Sequence, residues 1–296
     1  MKLSSISTKT QAVLRLVRVE HSIIGSIGVI VGAIITTRVE HIFINRMRLL
    51  QGALAAIFLI AGGFGLNDYF DSEVDKKNRR LDRPLVTGEL TARQALIGSI
   101  VALILGLLFA SFLDFAIFGV ATIFAILGTL YNFRMKEFGL LGNFYVASTY
   151  AAPWFLGGIL FPPKSSSAWI AIGTLSMIAL IAGLGREILK GIMDTEGDAI
   201  RNARTIARVY GPKAAASLAV LLILVAIALT PLPFFYSFDK SLSYLFMAVA
   251  TNISLLSVCI SILKDQSYPN AKKARDRSLH SFILGTIAFL VGAIGL

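Results

Sequence analysis

Long apolar segments separated by shorter charged segments make up most of this chain, a pattern typical of membrane-spanning helices. Each apolar run has about 17 to 22 residues, which is long enough to cross a bilayer as an α-helix. The runs cover residues 19–37, 49–66, 94–113, 115–131, 142–161, 168–186, 214–231, 242–263 and 279–296. The pattern therefore predicts an all-α polytopic membrane protein with nine transmembrane helices.

Composition supports the same class of protein. Hydrophobic residues make up 56% of the chain and charged residues only 15%, with a mean hydropathy of +0.75. The first twenty residues lack the short apolar core and small-residue cleavage site of a signal peptide, so we expect the N-terminus to be retained. The single Cys259 cannot form an intramolecular disulfide, and the three histidines are too far apart in sequence for a zinc or haem motif.

The distribution of basic residues predicts the topology. With nine helices and a cytoplasmic N-terminus, 23 of the 28 Lys and Arg residues lie on the cytoplasmic side. This positive-inside bias predicts a multi-pass protein of the plasma membrane, with the N-terminus inside and the C-terminus outside. The net charge of +11 is then largely topological and requires no nucleic-acid partner.

Two acidic clusters follow directly on the second and sixth predicted helices, both on the cytoplasmic side. Spacings of three, four and seven residues place the carboxylates of each cluster on one helical face. Such carboxylates repel one another at a membrane edge unless cations hold them, and Mg²⁺ with a diphosphate ligand suits this arrangement. The candidate metal ligands are Asn67, Asp68, Asp71, Asp75, Asp194 and Asp198.

Each cluster is followed by basic residues and a turn, and four predicted helices separate the two clusters. This repetition predicts a single domain over residues 1–296, with four-helix pseudo-repeats at 19–133 and 142–263 and a ninth helix appended. Corresponding loops of such repeats often surround a shared site. We therefore expect the helices to enclose a central cavity with the two clusters at its mouth.

These motifs resemble those of the UbiA superfamily of intramembrane prenyltransferases. Residues 62–75, continued by Asn78 and residues 83–88, are similar to the first family signature. Residues 186–205 resemble the second signature, and residues 131–143 resemble a shorter third segment. The likeness covers nearly the whole chain, and the detailed form of the first signature is most similar to members that make archaeal ether lipids. One difference is Gly191, where many relatives have an aspartate that would add a carboxylate to the second cluster.

The resemblance implies an Mg²⁺-dependent prenyltransferase with two metal ions, a polyprenyl diphosphate donor and a lipophilic acceptor. The aspartates of both clusters would organise the metal ions and act in catalysis, together with Tyr131 near the developing cation. The residues expected to contact the diphosphate are Asn67, Arg79, Lys136, Arg186 and Lys190. The donor chain would lie among the apolar helices, in contact with the bilayer.

Several functions remain open from the residues alone. The resemblance favours geranylgeranylglyceryl phosphate as the acceptor, and the alternative is an aromatic ring such as 4-hydroxybenzoate on a quinone pathway. Haem and chlorin acceptors are less favoured. An ion-coupled secondary transporter could also use acidic residues at a membrane. A transporter, however, would be expected to have acidic residues in the middle of broken spans. The sequence instead has them at the ends of acid-free apolar runs.

Overall fold

The computed structural model describes residues 2–37, 39–77, 80–161, 165–238 and 240–295. All regular secondary structure in these ranges is helical, with a single 3₁₀ turn at Met135–Phe138. The α-helices in chain order are α1 Lys2–Leu16, α2 Val19–Thr36, α3 Val39–Ile44, α4 Arg46–Lys77, α5 Ala92–Ser111, α6 Phe115–Phe133, α7 Leu140–Leu160, α8 Ser166–Met193, α9 Thr195–Ile200, α10 Ile206–Tyr210, α11 Pro212–Leu229, α12 Leu232–Tyr236, α13 Leu242–Lys264 and α14 Tyr268–Ala293. The predicted all-α class is confirmed.

In the described part of the chain, seven helical segments are long and apolar enough to cross a membrane. They comprise α2, α4, α5, α6, α8, α13 and the continuous stretch Pro212–Tyr236 that contains α11 and α12. Helices α7 and α14, which contain most of the predicted runs 142–161 and 279–296, fall outside this set. Polar residues interrupt α7, and the first half of α14 is strongly charged, which lowers their continuous hydropathy. The molecule is therefore a multi-pass membrane protein.

Two boundary predictions were wrong in a way that matters for the site. The second predicted span ends at residue 66, but α4 continues without a break to Lys77. The sixth predicted span ends at residue 186, but α8 continues to Met193. Neither extension contains a Pro, and Lys76 and Lys77 favour the C-terminal end of the α4 dipole. The first acidic cluster therefore lies within a helix rather than in a loop after it.

The chain divides into two compact units, and the first comprises Met1–Ser26 and Met47–Arg134. Here α4 and α5 approach closely, since a Cβ atom on Gly62 or Gly106 would lie 2.7 Å from a leucine Cγ of the opposite helix. Helix α1, which the hydropathy pattern did not predict, also packs in this unit. Its Ala12 and Leu16 join a small core with Leu85, Leu90 and Ala95.

The second unit comprises Ile27–Arg46 and Met135–Leu296. Its largest buried cluster joins the C-terminal half of α8 to α11, α13 and the start of α14. A second cluster is centred on Trp154 and Tyr244 and includes Val31 of α2. Gly157 permits α7 to cross α2 at short range, because a Cβ atom there would lie 2.0 Å from the Val29 carbonyl oxygen. Helix α8 is thus held firmly along its length, which fixes the residues at its C-terminal end.

Candidate functional site

The first acidic cluster forms a buried face on the last three turns of α4. Asp68, Asp71 and Asp75 are all buried, with Asp68 only 1% exposed. Asn67 Nδ2 donates to Asp71 Oδ2 at 3.1 Å and to Asn132 Oδ1 at 3.0 Å. The structure therefore brings the four predicted ligands of this cluster together on one helix. It also adds Asn132 from the end of α6, which sequence reasoning missed.

Three arginines provide the positive charge that compensates these carboxylates. Arg18 Nη2 lies 2.8 Å from Asp68 Oδ1, and Arg83 Nη1 lies 3.5 Å from the same oxygen. Arg80 Nε lies 3.6 Å from Asp75 Oδ1. Sequence analysis did not include these arginines among the site residues. The Arg83-Pro84 pair after the cluster was a signal for Arg83, but no local pattern links Arg18 to residues 50 positions away.

A divalent cation fits this set of oxygen donors. Asp68 Oδ2 is buried and has no hydrogen-bond partner in the structure, so a donor or cation is needed to satisfy it. Among the described residues, no three His, Cys, Asp or Glu side chains are grouped so as to hold a metal by themselves. This is compatible with Mg²⁺, which commonly takes one or two carboxylates and completes its shell with water and substrate phosphate oxygens.

The second cluster begins with a buried hydrogen-bonded network at the end of α8. Arg186 Nη1 donates to Tyr150 Oη at 2.9 Å, and Tyr150 Oη donates to Glu187 Oε1 at 3.2 Å. Lys190 Nζ donates to both Glu187 oxygens at 3.0 and 2.7 Å. Arg186 and Lys190 were predicted from the sequence. Tyr150 on α7 and Glu187 on α8 were not among the predicted site residues.

Asp194 and Asp198 follow this network on successive turns. Asp194 is the C-cap of α8, and its backbone N–H donates to the Lys190 carbonyl oxygen at 3.3 Å. Asp198 lies in α9, where its Oδ2 atom is buried without a hydrogen-bond partner in the structure. Burial raises the pKa of Asp198 to about 6. A cation bound at this carboxylate would stabilise its charged form.

Gly191 lies between these two parts of the second cluster. A Cβ atom there would meet the Cβ atoms of Thr205 and Ala207 at 4.0 Å, which is ordinary contact distance. A residue with a Cβ atom would therefore fit at position 191 without a steric clash at that atom. Packing at this position leaves room for the first side-chain atom of an aspartate.

The remaining predicted residues are divided between the two units. Tyr131 is half-buried in the last turn of α6, next to Asn132 and hence near the first cluster. Lys136 is half-buried in the 3₁₀ turn Met135–Phe138. This turn is bound to the segment after α9, because Arg204 N donates to the Glu137 carbonyl oxygen at 2.9 Å. Arg79 lies outside the described residues.

The apolar helices carry a buried carboxylate cluster on α4 and a half-buried acidic pair after α8, each near basic side chains, an arrangement suited to a membrane protein that binds a divalent cation with an anionic ligand. The chain belongs to the UbiA prenyltransferase family, whose profile matches residues 26–286. It is therefore a prenyltransferase. The family resemblance of the motifs is confirmed.

Two relatives that align over nearly the full length of the chain share one name. The chain is 38% identical to a digeranylgeranylglyceryl phosphate synthase of Archaeoglobus fulgidus, over 99% of both chains. It is 32% identical to a protein of the same name from Saccharolobus solfataricus, over 95% of this chain and 96% of the relative.

Solved structures agree with the fold. A structure described as giving insights into digeranylgeranylglyceryl phosphate synthase in membranes has a TM-score of 0.73 and 29% identity, covering 97% of this chain and 99% of the other. A UbiA homologue from Archaeoglobus fulgidus bound to DMAPP and Mg²⁺ has a TM-score of 0.64 and 18% identity, covering 94% of this chain and 99% of that one. At that identity the second likeness extends to the fold alone.

Proposed function

We propose that this protein transfers a geranylgeranyl group from its diphosphate to the free hydroxyl of geranylgeranylglyceryl phosphate, which forms the second ether of an archaeal membrane lipid. The observation that supports this type of reaction is the buried acidic face of α4, where Asp68 Oδ2 has no hydrogen-bond donor from the protein. The choice of acceptor rests on the archaeal synthases that match the full length of the chain.

Two Mg²⁺ ions would be held by Asn67 and the aspartates of both clusters, as the resemblance implies. Bound Mg²⁺ would neutralise charge on the donor diphosphate and so favour its departure from the allylic carbon. The donor set supports this role, since it consists of carboxylate and amide oxygens in partly dehydrated positions. A homologue of the same fold binds DMAPP with Mg²⁺, which is consistent with this proposal.

The side chains of the protein would orient the donor and exclude water. Arg186 and Lys190 would contact the diphosphate, and the Tyr150–Glu187 network keeps their charged groups at the end of α8. Asn67 and Lys136 are further candidates, as is Arg79 beyond the described residues. The ring of Tyr131 would stabilise positive charge on the allylic group or orient the acceptor. Apolar helices around the site would keep water from capturing that group.

The membrane arrangement in this proposal has nine spans, in which α7 and α14 cross together with the seven apolar segments and surround a central cavity. Their lengths, 21 and 26 residues, are sufficient for crossing. The chain would act as one domain with pseudo-repeats at 19–133 and 142–263. The N-terminus and both acidic clusters would face the cytoplasm and the C-terminus the outside of the plasma membrane, in keeping with the positions of 23 of the 28 basic residues.

The deciding experiment is a prenyl-transfer assay with purified protein in detergent or lipid. Geranylgeranyl diphosphate is supplied with either geranylgeranylglyceryl phosphate or 4-hydroxybenzoate, in Mg²⁺ and in EDTA. We expect an Mg²⁺-dependent diether product from the glyceryl phosphate and none from the benzoate. A prenylated benzoate instead would assign the enzyme to quinone synthesis. Absence of both product and diphosphate release would refute the proposed reaction.

A further inference from the structure

Two arginines from distant parts of the first unit converge on a single oxygen of Asp68. Arg18, in the turn between α1 and α2, and Arg83, after α4, both direct a terminal guanidinium nitrogen to Asp68 Oδ1, at 2.8 and 3.5 Å. The Arg18 guanidinium also lies 4.3 Å from the centre of the Phe64 ring. Two positive groups thus share one carboxylate oxygen in a largely buried place.

The fold fixes both arginines from nearby core positions. Leu16, two residues before Arg18, packs in the same small core as Leu85, two residues after Arg83. Arg83 is further constrained by its backbone, whose N–H donates to the Arg80 carbonyl oxygen at 3.0 Å. Their convergence is therefore a built feature of the first unit and does not depend on long, exposed side chains meeting by chance.

The cluster retains hydrogen-bonding capacity that its own residues do not use. Arg18 Nε is buried and has no hydrogen-bond partner in the structure. Arg83 Nε also makes no hydrogen bond, and its carboxylate neighbours, Asp82 and Asp75, lie at 3.5 and 4.0 Å. Buried donors of this kind are costly when left unsatisfied. Two adjacent guanidinium groups with free Nε–H donors match the oxygens of a phosphate, which can accept a bidentate contact from each arginine.

We propose that Arg18 and Arg83 form a binding site for the phosphate of the acceptor. This inference rests on the proposed function, in which the acceptor is a phosphomonoester. The donor diphosphate already has candidate cations at the end of α8, Arg186 and Lys190. A second anionic substrate in the same enzyme needs cations of its own, and an uncharged alcohol acceptor would need none.

The test compares two acceptors that differ only in the phosphate, geranylgeranylglyceryl phosphate and geranylgeranylglycerol. Each is assayed with the wild-type protein and with Arg18→Gln, Arg18→Lys and Arg83→Gln at saturating geranylgeranyl diphosphate. We expect Arg18→Gln and Arg83→Gln to raise KM for the phosphorylated acceptor by about 10- to 100-fold, the loss of a charge-assisted contact. With geranylgeranylglycerol the KM of the same variants should stay within about 3-fold of the wild-type value, whatever the change in kcat through Asp68.

This comparison separates acceptor binding from indirect effects through Asp68. A disturbed metal or donor site would lower activity equally with both acceptors, and an equal loss would overturn the inference. A raised KM for geranylgeranyl diphosphate with an unchanged acceptor KM would also overturn it. Arg18→Lys keeps the charge beside Asp68 and serves if Arg18→Gln fails to fold. We expect it to raise KM for the phosphorylated acceptor alone.

Arg15→Gln is the matched control. Arg15 lies one turn earlier and pairs with Glu89 away from Asp68, so its loss should leave both acceptors unaffected. If the wild-type protein makes no product from the phosphorylated acceptor, the proposed function fails, whatever the arginine variants do. If the wild type makes the diether but the Arg18 and Arg83 variants do not discriminate between the acceptors, only the phosphate site is refuted.

Discussion

Arg18 and Asp68 form a hydrogen-bonded ion pair, with 2.8 Å between Arg18 Nη2 and Asp68 Oδ1, although 50 residues separate them in the chain. Arg18 adopts a positive φ of 44°, which a residue other than glycine rarely does without compensating contacts. The ion pair and the contact with Phe64 provide those contacts. The turn between α1 and α2 is thereby tied to the acidic face of α4.

This pairing predicts that Asp68 contributes to folding as well as to catalysis. Asp68→Ala would leave Arg18 and Arg83 close together without their shared carboxylate, at an expected cost of about 3 to 5 kcal/mol in the free energy of unfolding. Asp68→Asn keeps one acceptor oxygen and should cost less. Thermal unfolding in detergent, followed by circular dichroism, would measure the difference. Equal stability of Asp68→Ala and wild type would refute a structural role for the pair.

Asp71 and Asp198 test the participation of both clusters in turnover. Asp71→Ala and Asp198→Ala should each reduce prenyl transfer by about 100-fold or more, comparable to the loss of one group that stabilises transition-state charge. Both proteins should still fold and purify in detergent. Glu73→Ala and Glu196→Ala are matched controls, since these exposed acidic residues lie in the same helices. Full activity of either aspartate variant would exclude its cluster from the site.

Much of the site was predictable from local spacing, and the rest depended on long-range packing. Positions 68, 71 and 75 share a helical face in any α-helix, so their juxtaposition followed from sequence alone. The contact between Arg18 and Asp68 could not be predicted in this way, because it depends on how α1 and α2 position their connecting turn against α4. The extension of α4 to Lys77 was missed because hydropathy falls at residue 67, whereas helix formation continues through charged residues. Hydropathy marks where a helix leaves the apolar environment rather than where it ends.

Asp114 connects two helices of the first unit. Its Oδ1 atom accepts from Ile117 N at 3.0 Å as the N-cap of α6, and its Oδ2 atom accepts from Arg48 Nη2 at 2.5 Å. Asp114→Ala should therefore lower the free energy of unfolding by about 1 to 2 kcal/mol, mostly through the lost cap. Asp114→Asn can still cap the helix and should lose well under half as much. Thermal unfolding of the two variants would measure this ranking. A similar loss of stability in both would mean that the negative charge of Asp114, rather than its helix cap, stabilises the protein. Arg46→Ala, an exposed neighbour of Arg48, should be close to wild type.

Substitutions of Glu187 and Tyr150 should separate effects on stability from effects on donor binding at the end of α8. Glu187 is 6% exposed and accepts both hydrogen bonds of Lys190 Nζ, so Glu187→Ala would leave that ammonium group without its carboxylate. We expect a marked loss of stability, about 3 to 5 kcal/mol. Tyr150→Phe removes only the hydroxyl that accepts from Arg186 Nη1 and should cost about 1 to 3 kcal/mol.

The kinetic readout distinguishes positioning of Arg186 from general destabilisation by Tyr150→Phe. If the tyrosine hydroxyl holds the guanidinium in place for the diphosphate, Tyr150→Phe should raise KM for geranylgeranyl diphosphate several-fold. The KM for the acceptor should stay unchanged, since the acceptor phosphate is assigned to Arg18 and Arg83. Tyr236→Phe, at an exposed tyrosine of α12, controls for removal of a hydroxyl elsewhere. Two outcomes would contradict this role: parallel increases in both KM values, or less active enzyme with no change in KM. Either would mean that the Tyr150 hydroxyl supports folding and does not orient Arg186 for the donor diphosphate.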